Sequence, residues 1–265
     1  MMKGVGQGAM RRLTIGALIL VLMAAPASLR AAADKQLDPT TMQEVFCRFP
    51  FAQVVPLDSL GAWGIMYADT YGKLHLLRAT PNGWKLEWEV TNLGAKIRKF
   101  FVRDLDGDGL PEIIIATVDG RILVYSMETY QNIWQNLEDN FSSIEAIEVA
   151  NVDDDPQLEL VYLAEGHLYI VDGKTKSRQW VSQRTFTASE IIVGNVDKDP
   201  QMEIILNSGV IIDSRFYNVE VEWDRPFGDR IALYDMNNDG IPEVIGEFSD
   251  YSLRVYDVYA RRELW

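Results

Sequence analysis

From residue 97 onward the chain alternates short apolar runs with short polar breaks. Lys99-Phe-Phe-Val-Arg103 is followed by an acidic stretch, Glu112-Ile-Ile-Ile-Ala-Thr117, the pair Asp119-Gly120, Arg121-Ile-Leu-Val-Tyr125 and then Tyr130-Gln-Asn-Ile-Trp134. Runs of this length, rich in β-branched and aromatic residues and bounded by turn formers, predict strands rather than helices. The unbroken apolar run at 112–117 suits a strand buried on both faces, and Asp119-Gly120 is a hairpin turn signal. The unit is therefore four strands. The same order returns at Ile147, Leu158–Tyr162, His167–Val171 and Arg178–Trp180, with turns at Glu165-Gly166 and Asp172-Gly173. It returns again at Val244-Ile245, Ser252–Tyr256 and Arg262–Trp265.

A nine-residue acidic phrase marks each return. Its copies begin at Asp104, Asn151, Asn195 and Asp235 and end at Glu112, Glu159, Glu203 and Glu243. Tryptophans keep step at Trp134, Trp180, Trp223 and Trp265, and Trp88 stands in the same phase behind Asp58, which predicts a fifth, degenerate repeat at the front. Repeats of about 40–50 residues, each a four-stranded antiparallel sheet, are the signature of a propeller. The expected fold class is all-β, a five-bladed β-propeller over residues 50–265. One tryptophan per blade at constant phase is expected to pack between blades, a sugar-stacking platform being the functional alternative. Asp38-Pro39 opening the run to Glu44 predicts one short helix. Residues 34–49 form an N-terminal segment with a possible closing strand, and 44–55 are expected to pack against the 252–265 hairpin.

Charge narrows the partners. The formal net charge is −14, and residues 1–33 have the look of a secretory signal: Lys3, Arg11 and Arg12, then the apolar Leu13–Ala27, then small residues. Removing that segment deletes four basic residues and no acid, taking the charge from −14 to −18. So acidic a surface repels phosphate polymers, which excludes nucleic acid as a partner class. The expected location is periplasmic or secreted, with no membrane insertion after cleavage. Cys47 is the only cysteine, so no internal disulfide can staple the chain.

The acidic phrases are the one place where the sequence offers chemistry. Ca²⁺ takes six to eight hard oxygens, and carboxylates on alternate loop positions with a backbone carbonyl can wrap it. The first copy supplies Asp104, Asp106, Asp108, the Leu110 carbonyl and Glu112; the last supplies Asp235, Asn237, Asp239, the Ile241 carbonyl and Glu243. Gly109 and Gly240 stand at the sixth position, where a left-handed turn is wanted. The middle copies begin with Asn and hold Pro156 and Pro200 there, so they are expected to fold as Asx-turns without metal. An EF-hand would need Glu at position twelve, which is occupied by Ile115, Tyr162, Leu206 and Gly246.

Asp-x-Asp-Gly-Asp-Gly-x-Pro-Glu-Ile between two strands, repeated along the chain, resembles the FG-GAP and VCBS-type repeats. That resemblance implies a propeller with Ca²⁺ in the loops joining the first and second strands of its blades, and a role in adhesion or recognition. No Phe-Gly…Gly-Ala-Pro signature precedes the loops. The expected function is an exported, calcium-stabilised binding or scaffold module for a protein or glycan partner, not an enzyme. The alternative is a carbohydrate-active enzyme with paired carboxylates at the axial funnel, drawn from Asp69, Glu87, Asp213 and Glu247. His75 and His167, the only histidines, fall in predicted third strands.

Overall fold

The computed structural model describes residues 51–57, 61–90 and 93–265, and within them the chain builds five four-stranded antiparallel sheets, each with its strands in sequence order. Blade 1 is β1 (Gln53–Pro56), β2 (Trp63–Ala68), β3 (Leu74–Thr80) and β4 (Gly83–Val90). Blade 2 is β5 (Ile97–Arg103), β6 (Glu112–Thr117), β7 (Ile122–Ser126) and β8 (Asn132–Gln135). Blade 3 comprises β9 (Ala146–Ala150), β10 (Glu159–Ala164), β11 (His167–Asp172) and β12 (Arg178–Val181). In blade 4 these are β13 (Ile191–Gly194), β14 (Glu203–Leu206), β15 (Val210–Asp213) and β16 (Val219–Glu222), and in blade 5 β17 (Arg230–Tyr234), β18 (Glu243–Glu247), β19 (Leu253–Asp257) and β20 (Arg262–Glu263). The protein is a five-bladed, all-β propeller. The expected helix at 38–44 lies outside the described residues. So does the 44–50 part of the expected closing strand, and Gln53–Pro56 pairs with β2.

Hydrophobic burial dictates how the blades stack. Strands β6, β10 and β14 are buried along their whole length, so both faces of each sheet must meet a neighbour. Four core clusters supply those meetings, at the junctions of blades 1–2, 2–3, 3–4 and 4–5. Among the described residues no core cluster spans blade 5 and blade 1. The first strands β5, β9, β13 and β17 adjoin in succession, and Gln53 Nε2 donates to the Phe100 carbonyl at 3.1 Å, placing β1 beside β5.

The tryptophans do what their phase predicts in four blades. Trp88 stacks on Tyr130, Trp180 on Tyr217, and Trp223 meets Tyr256 edge-on, each from the following blade; Trp134 packs against the cluster between blades 2 and 3. Trp265 is 60 % exposed and departs from the pattern. The register shifts between third and fourth strands in blades 1 to 4, and in the first three the tryptophan sits opposite the residue just before the shift. A bulge there adds twist to the outer strand and re-aims its side chains toward the neighbouring blade.

Candidate metal-binding loops

All four acidic phrases join the first strand of a blade to its second, so they lie at one end of the propeller. A shared device closes each. The ninth-position glutamate turns back, and its Oε2 accepts the N–H of the second residue: Leu105 from Glu112 at 2.9 Å, Val152 from Glu159 at 2.8 Å, Val196 from Glu203 at 2.7 Å and Met236 from Glu243 at 2.6 Å. Residues three and five each accept the N–H two places on, as Asp106 does from Asp108 and Asp153 from Asp155. These are the Asx-turns expected of the middle copies, and they occur in the outer copies too.

The first and sixth positions are chemically coupled. Asp104 Oδ2 accepts the Gly109 N–H and Asp235 Oδ2 the Gly240 N–H, both at 2.9 Å, with the glycines at φ of +90° and +91°. Pro156 and Pro200 have no N–H to give. There the first residue is asparagine, whose amide instead donates to the fifth-position carbonyl, Asn151 to Asp155 at 2.5 Å and Asn195 to Asp199. Asp with Gly and Asn with Pro are two solutions to one loop.

Carboxylates converge in every copy. The groups Asp104–Asp106–Asp108, Asp153–Asp155–Glu159, Asp197–Asp199–Glu220 and Asp235–Asp239–Glu243 each bring one oxygen per residue within 4.8 Å of the others. Glu220 comes from β16, and nothing in the spacing of the phrases points to it. Glu112 falls outside the first group. In the last copy Asn237 does not turn its amide away but donates it to Glu243 Oε1 at 2.5 Å, so two expected ligands occupy each other. The middle copies, expected to be metal-free, are the ones with spare donors. Glu159 Oε1 and Glu203 Oε1 are buried with no hydrogen-bond partner.

Electrostatics follow from burial. Desolvation first, and the neighbouring aspartates after it, push Glu112 and Glu159 up to about 7 and Glu203 up to about 8. At the first copy the next blade brings a counter-charge. Gly173 packs against the Leu105 carbonyl, and Lys176 donates its ammonium to the Gly173 carbonyl. Burial pulls the Lys176 pKa down, while Asp106, Glu112 and Asp172 hold it up. The residues fit a hard divalent cation by donor chemistry at the Asp104, Asn151 and Asn195 copies, and less well at Asp235, where Asn237 occupies Glu243.

The carboxylates expected of a glycosidase are each engaged where they stand. Asp69 accepts from His75 Nε2 at 3.0 Å and from the Tyr71 and Lys73 amides. Glu87 is ion-paired with Arg78 at 2.9 Å, Asp213 accepts the Phe216 amide at 2.7 Å, and Glu247 lies 3.9 Å from Arg230. They sit on blades 1, 4 and 5. His167 Nδ1 is held by the Ser182 carbonyl at 2.9 Å.

No protein-family profile matches the chain, and no curated protein sequence does. Solved structures do. The crystal structure of BBS1N in complex with ARL6DN, soaked with lead, superposes with a TM-score of 0.59 at 15 % identity, over 82 % of this chain and 67 % of that one. Its mercury-soaked counterpart gives 0.56 at 14 %, over 82 % and 65 %. BamB from Moraxella catarrhalis gives 0.49 at 17 %, over 80 % and 62 %. The chain thus spans about two-thirds of the length of these neighbours. At such identities the likeness is one of fold, a β-propeller.

Proposed function

We propose that this is an exported binding or scaffold propeller of the FG-GAP/VCBS type, without catalytic activity, that holds Ca²⁺ in its acidic loops and engages a protein partner in the periplasm or outside the cell. The observation that carries it is the fourfold convergence of carboxylates at one end, two copies of which leave a buried carboxylate oxygen without a partner. Asp104, Asp106, Asp108 and the Leu110 carbonyl would hold one ion, and Asp153, Asp155 and Glu159 a second. A bound ion would supply positive charge where carboxylates otherwise repel one another, locking the strand connections. The first two fold neighbours were solved with a protein bound, which supports a protein-binding use of this architecture.

Calcium titration of the chelated protein tests the reading. At a hundredfold excess over Kd, binding to the native state alone adds about 2.7 kcal/mol, so the melting temperature should rise by several degrees. Asp106→Asn and Asp153→Asn should each remove one equivalent of bound Ca²⁺ in calorimetry. Identical melting curves in chelator and in millimolar Ca²⁺ would eliminate the metal and leave the loops as self-sufficient Asx-turns.

A further inference from the structure

A bulge carries an extra acid to the Asn195 loop. The register shift between third and fourth strands in blades 1 to 4 leaves one residue of each fourth strand without a cross-strand partner: Glu87, Ile133, Gln179 and Glu220. A bulge of this kind re-aims the side chain of its extra residue. In blade 3 that side chain reaches the acidic loop of its own blade, where Gln179 Nε2 donates to Asp153 Oδ2 at 3.0 Å. In blade 4 the same position holds a carboxylate. Where blade 3 satisfies its loop with an amide, blade 4 adds a further negative charge.

Four acids therefore meet at the Asn195 copy. Oxygens bound to one Ca²⁺ at about 2.3–2.6 Å stand no farther apart than about twice that distance, and one oxygen each from Asp197, Asp199 and Glu220 lies within 4.8 Å of the others. Glu203 is the fourth. It is 1 % exposed, its Oε2 accepts the Val196 N–H at 2.7 Å inside the loop, and its Oε1 is buried with no partner. After burial itself, Asp197, Glu220 and Asp199 are what push its pKa up, so its carboxyl stands within electrostatic reach of the other three. No basic side chain closes on the group: among the described residues no lysine or arginine forms an ion pair with any of the four. Lys198, within the loop, lies 4.3 Å over the Tyr259 ring. Burial and the neighbouring aspartates push the Glu220 pKa up, and Arg261 of blade 5 offsets part of that without pairing. A buried carboxylate oxygen without a donor carries a desolvation cost that a bound cation removes.

We propose that blade 4 holds a Ca²⁺ ion of its own, bound by Asp197, Asp199, Glu203 and Glu220, with the bulge of β16 supplying the ligand that lies outside the loop. Asn195 turns its amide to the Asp199 carbonyl, so the outer strand, not the first loop position, completes this site. The donors are carboxylate oxygens without nitrogen or sulfur, which selects a hard cation. Their origin in two separate segments suits the irregular shell of Ca²⁺ rather than the octahedron of Mg²⁺. The ion ties the outer strand of the blade to the connection between its first two strands. The proposal rests on the reading of the acidic loops as calcium sites and adds an ion that neither the Asp104 nor the Asn151 copy holds.

Calorimetric titration of the chelated protein with Ca²⁺ counts the ions. Glu220→Gln should lose one equivalent, and it should fold, because blade 3 carries glutamine at the same bulge position. Glu222→Gln, on the same strand and paired with Arg184 at 3.0 Å, should keep the full count. Melting adds a readout that a packing role would not give. In chelator Glu220→Gln should melt at or above the wild type, since it removes a repelling charge, and in millimolar Ca²⁺ it should melt below it. If Glu220→Gln fails to fold, Asp199→Asn, which keeps an acceptor for the Gln201 N–H, is read in the same way. An unchanged count in Glu220→Gln, with Asp106→Asn and Asp153→Asn each losing an equivalent, would overturn this site and leave the calcium reading of the other loops standing. No Ca²⁺ uptake by the wild type would overturn both. Equal lowering of the Glu220→Gln melt in chelator and in Ca²⁺ would make Glu220 a packing residue and overturn its role as a ligand.

Discussion

At the scale of single residues, the acidic loops show how one substitution forces another. An aspartate at the first position accepts the N–H of the sixth residue, and a proline there removes that donor. Asn151→Asp should therefore destabilise the fold, since it deletes the donor to the Asp155 carbonyl and adds a carboxylate that Pro156 cannot satisfy. Pro156→Gly alone should also destabilise, by freeing the unfolded chain. Together they recreate the Asp104–Gly109 arrangement, so urea melts should show favourable coupling of about 1 kcal/mol; strict additivity would refute the link. The buried glutamates give a pH signature. A carboxyl whose folded pKa lies above its unfolded value binds more protons when folded. Its contribution is complete below about pH 4.5 and is lost as pH rises toward about 7 for Glu159 and about 8 for Glu203. In chelator, stability should fall between those limits, and Glu203→Gln should flatten the slope by an amount on the order of a few kcal/mol, at about 1.4 per unit. Equal slopes in the two proteins would show that Glu203 is not the group responsible.

At the scale of elements, the four-strand unit was legible because each strand is short, apolar and bounded by Gly, Asp or Asn. The acidic loops were legible because their carboxylates are local in sequence. What escaped is what depends on non-local packing. Glu220 joins the Asn195 loop only through the fold of β16. Asn237 pairs with Glu243 only once the loop has closed. The sequence pattern put Trp265 in phase with the other tryptophans, yet it stands exposed where they pack against the following blade. The register shifts at the fourth strands likewise have no composition signal. Gly173 is another non-local case: a methyl at its Cα would stand 2.0 Å from the Leu158 carbonyl and 2.4 Å from that of Leu105. No backbone atom can yield that much cheaply. Gly173→Ala should therefore part the junction of blades 2 and 3, destabilising by about 2–4 kcal/mol, the range of severe packing faults. Gly109→Ala, where open space surrounds the Cβ, should cost about 1 kcal/mol through its left-handed φ alone. Similar losses at the two sites in a chemical melt would show that the close approach is not what fixes Gly173.

At the scale of the whole molecule, the repeat turns local acidity into a directional field. Because each phrase occupies the same connection of its blade, the carboxylates of four loops accumulate at one end, while the connections between β2 and β3 and their counterparts hold the other. Some of that charge is neutralised within the protein, by Lys176 beside the Asp104 copy. The remainder should steer basic partners toward that end and should be screened over about 8 Å at physiological ionic strength. Duplex DNA should not bind at all, since holding it needs clustered lysine or arginine and the release of counterions. Fluorescence anisotropy at about 20 mM salt, where attraction would be strongest, is the severe test. A labelled oligolysine peptide should bind, should weaken steeply with added salt, and should weaken again when Ca²⁺ occupies the loops and cancels their charge. A labelled duplex should show no change. Saturable DNA binding under those conditions would mean that the positive residues of the outer strands, not the acidic loops, govern what approaches this propeller.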